Sequence, residues 1–137
     1  MFKTMLVEDN PSFRQIVKNN LQDRFPSMEI IEAADGVEAL KKIGSHSPDL
    51  IFMDIRLPGE NGLELTRKIK TGHPEIIIVI LTSHDLPEYR EAATQNKANH
   101  FFSKGSISTD EIFKFVKTIL LEKGFNADGS DSAKVTA

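Results

Sequence analysis

Ile76-Ile77-Ile78-Val79-Ile80-Leu81 is a run of six apolar residues, rich in β-branched types and without a polar position. A strand wet on one face alternates; a strand with no polar position is covered on both faces. That pattern belongs to a parallel sheet sandwiched between helices. The run is far shorter than the roughly 18 residues of a membrane span. Met5-Leu6-Val7, Ile30-Ile31, Leu50-Ile51-Phe52-Met53 and a short Phe101-Phe102 pair are further strand candidates.

Helix signals fill the intervals. Asn10-Pro11 offers a cap and a first-turn proline ahead of Phe13, Ile16, Val17 and Leu21. After Asp35-Gly36, a second stripe is expected from Val37, Leu40 and Ile43; after Asn61-Gly62, a third from Leu65 and Ile69. Leu86, Tyr89 and Ala93 mark a fourth helix. Ser108 and Glu111 have capping-box spacing, and Ile112, Val116, Ile119 and Leu120 form the fifth stripe. Strand and helix thus alternate five times, which implies an α/β fold with right-handed crossovers and helices on both faces of a parallel sheet. Composition changes near Gly124, so a folded domain is expected over residues 1–124. Residues 125–137 read as a flexible tail or the stump of a linker.

Composition narrows the chemistry. A chain of 137 residues with 39% hydrophobic and 27% charged side chains can build one well-buried core. Its lack of cysteine excludes disulfides, thiolate metal sites and cysteine nucleophiles, and fits a reducing, cytoplasmic setting. A net charge of −3 creates no field for nucleic acid, and neither a membrane partner nor a signal peptide is expected.

In an open parallel sheet, ligands bind beyond the carboxyl ends of the strands. There the first strand runs into Glu8-Asp9, the third ends at Asp54, the fourth at Thr82-Ser83, and the fifth reaches Lys104. Each alone has an ordinary explanation: a helix cap, a turn aspartate, a strand-end hydroxyl, a solvated lysine. Together they place three carboxylates, two hydroxyls and one ammonium on one edge. Two carboxylates a few ångströms apart repel by roughly 4 kcal/mol at an effective dielectric of 20. Three ionised together call for a cation. An all-oxygen donor set suits Mg²⁺ or Mn²⁺. A hard cation beside a carboxylate, a hydroxyl and a lysine makes a phosphoryl site, with Asp54 able to attack phosphorus in line.

These residues resemble a known family. Leu6-Val7-Glu8-Asp9-Asn10, Asp35-Gly36, Asp54-Ile55-Arg56-Leu57-Pro58-Gly59 with Asn61-Gly62, Leu81-Thr82-Ser83 and Phe102-Ser103-Lys104 are similar, in order and spacing, to the CheY-like response regulator receiver domains. The similarity covers about residues 2–122. It implies a doubly wound, flavodoxin-like (βα)5 sheet in the order 2-1-3-4-5. By resemblance, Asp54 is the phosphoacceptor, Asp9 and Asp54 ligate Mg²⁺ together with the backbone carbonyl of Arg56, and Glu8 acts mainly through metal-bound water. Thr82 bonds the phosphoryl group, Lys104 pairs with it, Ser83 leaves it accessible, and Phe101 occupies the aromatic switch position. The implied partners are a sensor histidine kinase or phosphotransfer protein, and a downstream protein or fused output domain. The resemblance leans weakly toward receivers ahead of DNA-binding output domains, and leaves homodimerisation on phosphorylation open. Catalysis is expected only on the domain's own phosphorylation and hydrolysis.

Three departures stand out. Phe101 replaces a tyrosine, so coupling is expected to rest on packing alone. Gly105-Ser106 follow the lysine where proline is frequent, which puts a cis peptide there in doubt. Lys97 and His100 stand where glycines are frequent, so that turn is expected to be built differently. Four histidines, His46, His73, His84 and His100, are scattered over separate loops and form no evident cluster; His84 alone is close enough in sequence to Thr82 to approach a phosphoryl group. Three rival readings are an aspartyl-phosphate metal-dependent phosphatase, a flavin-binding module and a non-phosphorylated docking module. Against the first, Arg56 stands where a second acid is needed; against the second, the first loop lacks a phosphate cradle; against the third, the acidic set, Thr82 and Lys104 are all present.

Overall fold

The structure is a computed structural model and describes residues 1–132. Five strands, β1 (Lys3–Val7), β2 (Glu29–Ala33), β3 (Leu50–Met53), β4 (Ile77–Thr82) and β5 (His100–Ser103), alternate with five helices. These are α1 (Pro11–Arg24), α2 (Gly36–His46), α3 (Gly62–Gly72), α4 (Pro87–Gln95) and α5 (Thr109–Glu122). All strand pairs are parallel, and the sheet order is β2-β1-β3-β4-β5, as the resemblance implied.

The unbroken apolar run of β4 is divided between the two faces of the sheet. Ile78 and Ile80 join Met5, Val7, Ile51 and Met53 under α2, α3 and α4, whereas Val79 and Leu81 join Phe2, Leu6 and Phe52 under α1 and α5. Register is therefore fixed by burial on both sides. It sets Val7 beside Met53, Met53 beside Ile80 and Thr82 beside Ser103, which brings the polar strand ends to one edge.

Helix starts follow the sequence signals. Asn10 accepts from the Ser12 and Phe13 amides at 3.0 and 3.1 Å, Asp35 from Glu38 at 2.8 Å, and Asn61 from Leu63 at 2.6 Å. Ser108 and Glu111 form the reciprocal capping box. The second stripe differs from expectation. Gly36, Ala39 and Ile43 face the core, while Val37 is 80% and Leu40 43% exposed. Small residues at positions 36 and 39 let α2 lie close to the sheet, which turns the larger apolar side chains outward. Ile16 on α1 is likewise exposed. Nearby, Glu32 of β2 receives Lys18 and Arg14 from α1 at 2.9 and 3.0 Å. These bonds, Lys18's first, hold its carboxyl below the usual range against the opposing effect of burial.

The turn before β5 is also unlike the expectation. Lys97 takes the left-handed conformation (φ 73°) that a glycine would occupy. Its amide donates to Thr94 O at 3.0 Å and that of Ala98 to Ala93 O at 3.0 Å, closing α4 as a Schellman turn. His100 opens β5 as an ordinary strand residue. A left-handed non-glycine costs about 1–2 kcal/mol, partly offset by the larger unfolded-state freedom of glycine. Lys97→Gly is accordingly expected to raise stability by about 0.5–1 kcal/mol in denaturant unfolding; a loss would mean that the lysine side chain holds the turn.

No cis peptide occurs among the described residues, so Lys104–Gly105 is trans. At the end of α5, Gly124 (φ 85°) reverses the chain, and the Phe125 amide donates to Leu120 O at 2.8 Å. Phe125 then packs edge-on against Phe2, with ring centroids 5.3 Å apart. Gly129 is buried beside Phe25 and Met28, and the Asp131 carboxylate lies 3.0 Å from the Met1 amino group. The first part of the expected tail thus lies across the amino ends of the strands; residues 133–137 fall outside the described residues.

Candidate functional site

Beyond the carboxyl ends of β1 and β3, sheet hydrogen bonding continues for one residue. The Glu8 amide donates to Ala33 O at 3.0 Å and the Asp54 amide to Val7 O at 3.1 Å. Both acidic residues are therefore held by backbone at the centre of the sheet. Their side chains are only 7% and 8% exposed. Asp9, the next residue along, is exposed, and one carboxylate oxygen from each of Glu8, Asp9 and Asp54 lies within 4.8 Å of the others.

The counter-charge arrives from the far side of the sheet. Lys104 follows β5 directly, its amide donating to Thr82 O at 2.8 Å. Its ammonium donates to Glu8 Oε1 at 2.7 Å and more distantly to Asp54 Oδ2 at 3.5 Å. The second Glu8 oxygen accepts from the Asn10 amide at 3.1 Å, and Asp54 Oδ1 accepts from the Ile55 amide at 2.8 Å. Burial pushes the Glu8 carboxyl above its ordinary range; Lys104 and the Asn10 amide oppose that shift without cancelling it. The donors that Glu8, Asp9 and Asp54 offer are all oxygen, and this set fits a hard divalent cation rather than a soft one.

The loop after Asp54 is shaped around it. Gly59 is left-handed (φ 81°), and the Gly62 amide donates to Ile55 O at 2.8 Å. A Cβ on Gly62 would run into the Asp54 carbonyl oxygen, so only glycine lets α3 start this close to the acidic strand end. Arg56 is exposed in the same loop.

Thr82 is fully buried, and its hydroxyl accepts from the His84 amide at 3.2 Å. Ser83 is exposed. Phe101 stands apart from the carboxylates: half-buried, it packs with Tyr89 and Ala92 against the α2–α4 side of the core. Arg90 lies over its ring at 4.6 Å, while the same guanidinium forks onto Asp85 at 2.6 and 3.0 Å. Packing alone is thus not what surrounds this aromatic. The sequence pattern missed Arg90, because i and i+11 on different elements carry no periodic signature. It missed Arg14 for a similar reason: this helix residue donates to the Glu8 carbonyl at 2.6 Å and braces the acidic strand end.

The comparisons with known proteins agree with this geometry. Residues 4–117 match the family model described as the response regulator receiver domain. The chain is 38% identical over 102 residues to the oxygen regulatory protein NreC of Staphylococcus carnosus, covering 73% of this chain and 45% of that protein. Among solved structures, a LuxR-family two-component response regulator from Aurantimonas is 31% identical with a TM-score of 0.78, covering 88% of this chain and 85% of that one. Vibrio cholerae chemotaxis protein CheY4 is 29% identical with a TM-score of 0.78, covering 88% and 99%. The chain spans about half the length of the curated relatives it matches. No helix among the described residues is long and apolar enough to cross a membrane. The five-stranded sheet, the acidic strand ends facing a lysine from β5, and the match over residues 4–117 together make this chain a member of the response regulator receiver domain family of two-component signalling.

Proposed function

We propose that the domain is a phosphorylation switch in which Asp54 accepts a phosphoryl group from a partner histidine kinase or phosphotransfer protein. The observation that carries this reading is the setting of the Asp54 carboxylate. It is buried at the sheet end, with Oδ1 engaged by the Ile55 amide and Oδ2 3.5 Å from an ammonium that is bound more closely by Glu8. Oδ2 is thus the oxygen less tightly held, and it can attack phosphorus while the leaving group departs with the bonding pair.

The residues that would hold Mg²⁺, or Mn²⁺, are Asp9 and Asp54 through carboxylates and Arg56 through its backbone carbonyl, with Glu8 acting through bound water. When bound, the cation neutralises charge on the phosphoryl oxygens. Lys104 supplies one ammonium donor to the transferred group. Thr82 sits one strand away; its hydroxyl oxygen accepts from the His84 amide, and its hydroxyl hydrogen would donate to a phosphoryl oxygen. Ser83 keeps the approach small and polar. A phosphoryl group adds about −1.5 to −2 charges, enough to bias a bistable surface. That surface is α4, β5 and α5, with Phe101 as the moving aromatic and Arg90 as its lid. The reader of this surface is a downstream protein or a fused output domain, DNA-binding output and homodimerisation included. Chemistry is confined to the domain's own phosphorylation and hydrolysis, and the setting is cytoplasmic.

Intact-mass measurement after incubation with Mg²⁺ and a small acyl-phosphate donor tests this. One phosphoryl group is expected on the wild type, and none on Asp54→Asn or on wild type stripped of divalent ions. An adduct that survives Asp54→Asn would overturn the assignment.

A further inference from the structure

Lys104 carries three ammonium protons, and the two carboxylates account for two directions. The third side of the ammonium is occupied by an aromatic ring: Phe13 of α1, whose centroid lies 4.2 Å from Nζ. Nothing in the helical spacing of Phe13 distinguishes it from its neighbours Val17 and Leu21, which simply fill the core. Its position is set by the cap. Asn10 follows the acidic pair at once and accepts from the Phe13 amide at 3.1 Å, so the first turn of α1 sets position 13 beside the carboxylates.

The ring borders a small cavity with apolar walls on one side and charged residues on the other. The cavity, of about 10 Å³, lies among Phe13, Val17 and Phe52 with Glu8, Arg14 and Asp54, at the lower limit of what one water molecule requires. The ammonium is itself largely removed from solvent, its side chain being 16% exposed. A cation over a ring face gains most when water is kept away from it. Here the negative face of the ring does what a third carboxylate or a water would otherwise do.

We infer that Phe13 is a positioning residue for Lys104: its ring face holds the ammonium at the mouth of the acidic pocket, where Glu8 and Asp54 share it. The role in phosphorylation rests on the reading of Asp54 as phosphoacceptor; the contact itself does not. Without the ring, the ammonium keeps its tie to Glu8 but gains freedom to swing toward water. It then meets an incoming phosphoryl group less often in the productive geometry.

Replacing Phe13 alone with mono- and trifluorinated phenylalanines separates ring charge from ring shape, since fluorine drains the negative face while packing is kept. Two readouts are taken: the order parameter of the Lys104 ammonium by ¹⁵N NMR in metal-free protein, and the rate of Asp54 phosphorylation from a small acyl phosphate with Mg²⁺. Both are expected to fall stepwise with fluorination, the rate by about five-fold for the trifluorinated ring, with an unchanged melting midpoint. Phe13→Leu falls at least as far, and Phe13→Tyr retains the wild-type rate and order parameter. An ammonium that stays equally ordered through the fluorine series overturns the inference. A wild type that accepts no phosphoryl group, while its Lys104 ammonium loosens with fluorination, overturns the phosphoacceptor reading and leaves the positioning of Lys104 standing.

Discussion

Lys104→Ala is expected to destabilise the metal-free protein by about 2–3 kcal/mol, most of which magnesium restores. Taking away one partner of a buried ion pair is costly because the other charge stays behind. The cost is below the fully buried extreme, since the lysine side chain keeps 16% exposure. What stays behind is Glu8 and Asp54 with Asp9 close by, three carboxylates and no ammonium. A divalent ion at about 100-fold its dissociation constant adds roughly 2.7 kcal/mol to the variant by mass action, and the deficit against wild type narrows because the ion binds more tightly to a pocket from which the competing ammonium has been removed. The pH dependence has a definite sign. Burial already places the Glu8 carboxyl above its ordinary range, so its proton stabilises the folded form. That benefit is complete below the ordinary glutamate range and is lost as pH rises through it toward the folded value. The variant's deficit should therefore be smallest in mild acid and largest near neutrality. Denaturant unfolding with and without Mg²⁺ at two pH values measures all of this. An equal deficit under every condition would show that the lysine acts through packing and not through charge. Magnesium binding itself should survive in this variant, while signalling through the α4–β5–α5 surface should not.

Gly62→Ala should be the most damaging single methyl in the domain, costing about 3 kcal/mol or more and lowering the melting midpoint by roughly 10 °C. The added carbon would meet the carbonyl oxygen and carbon of Asp54 and the Cα of Ile55, all of them backbone. None can swing aside like a flexible side chain. Asp54 is fastened to β1 through its amide, and Ile55 to Gly62 itself through its carbonyl. Relief must come from displacing either the start of α3 or the acidic strand end, so phosphorylation should suffer along with stability. Gly44→Ala is the control: the same chemical change on α2 has open space around it and should be neutral or mildly stabilising. Equal behaviour of the two variants in calorimetry would refute the steric account.

The sheet and the acidic edge were legible in the sequence for one physical reason. A parallel sheet covered on both faces turns linear order into position, because every strand runs the same way and every polar strand end emerges at the same edge. Glu8, Asp9, Asp54, Thr82 and Lys104 could be placed there from the apolar runs that precede them. Val37 and Leu40 were misplaced because helical spacing reports that a stripe exists, not which side of it faces the sheet. Small residues at 36 and 39 decided that. Lys97 was misread because the energetic cost of a left-handed lysine is small beside the hydrogen bonds that close α4. Phe13 over Lys104 and Arg90 over Phe101 had no signature at all. Each contact joins residues of separate elements, and a cation above a ring leaves no trace in hydropathy.

The fold-back after Gly124 has an engineering consequence. It brings the amino group of Met1 to 3.0 Å from the Asp131 carboxylate and Phe2 against Phe125. Among the described residues, Met1 and Asp131 therefore lie at one pole, and the carboxylates of Glu8, Asp9 and Asp54 occupy the other. A five-residue strand at about 3.3 Å per residue puts roughly 16 Å between those poles. A short peptide bridge could join Asp131 to Met1, and a circularly permuted chain reopened elsewhere would keep β1 paired between β2 and β3. A reporter attached beside Met1 would stand clear of the acidic pole and leave it open to a phosphodonor.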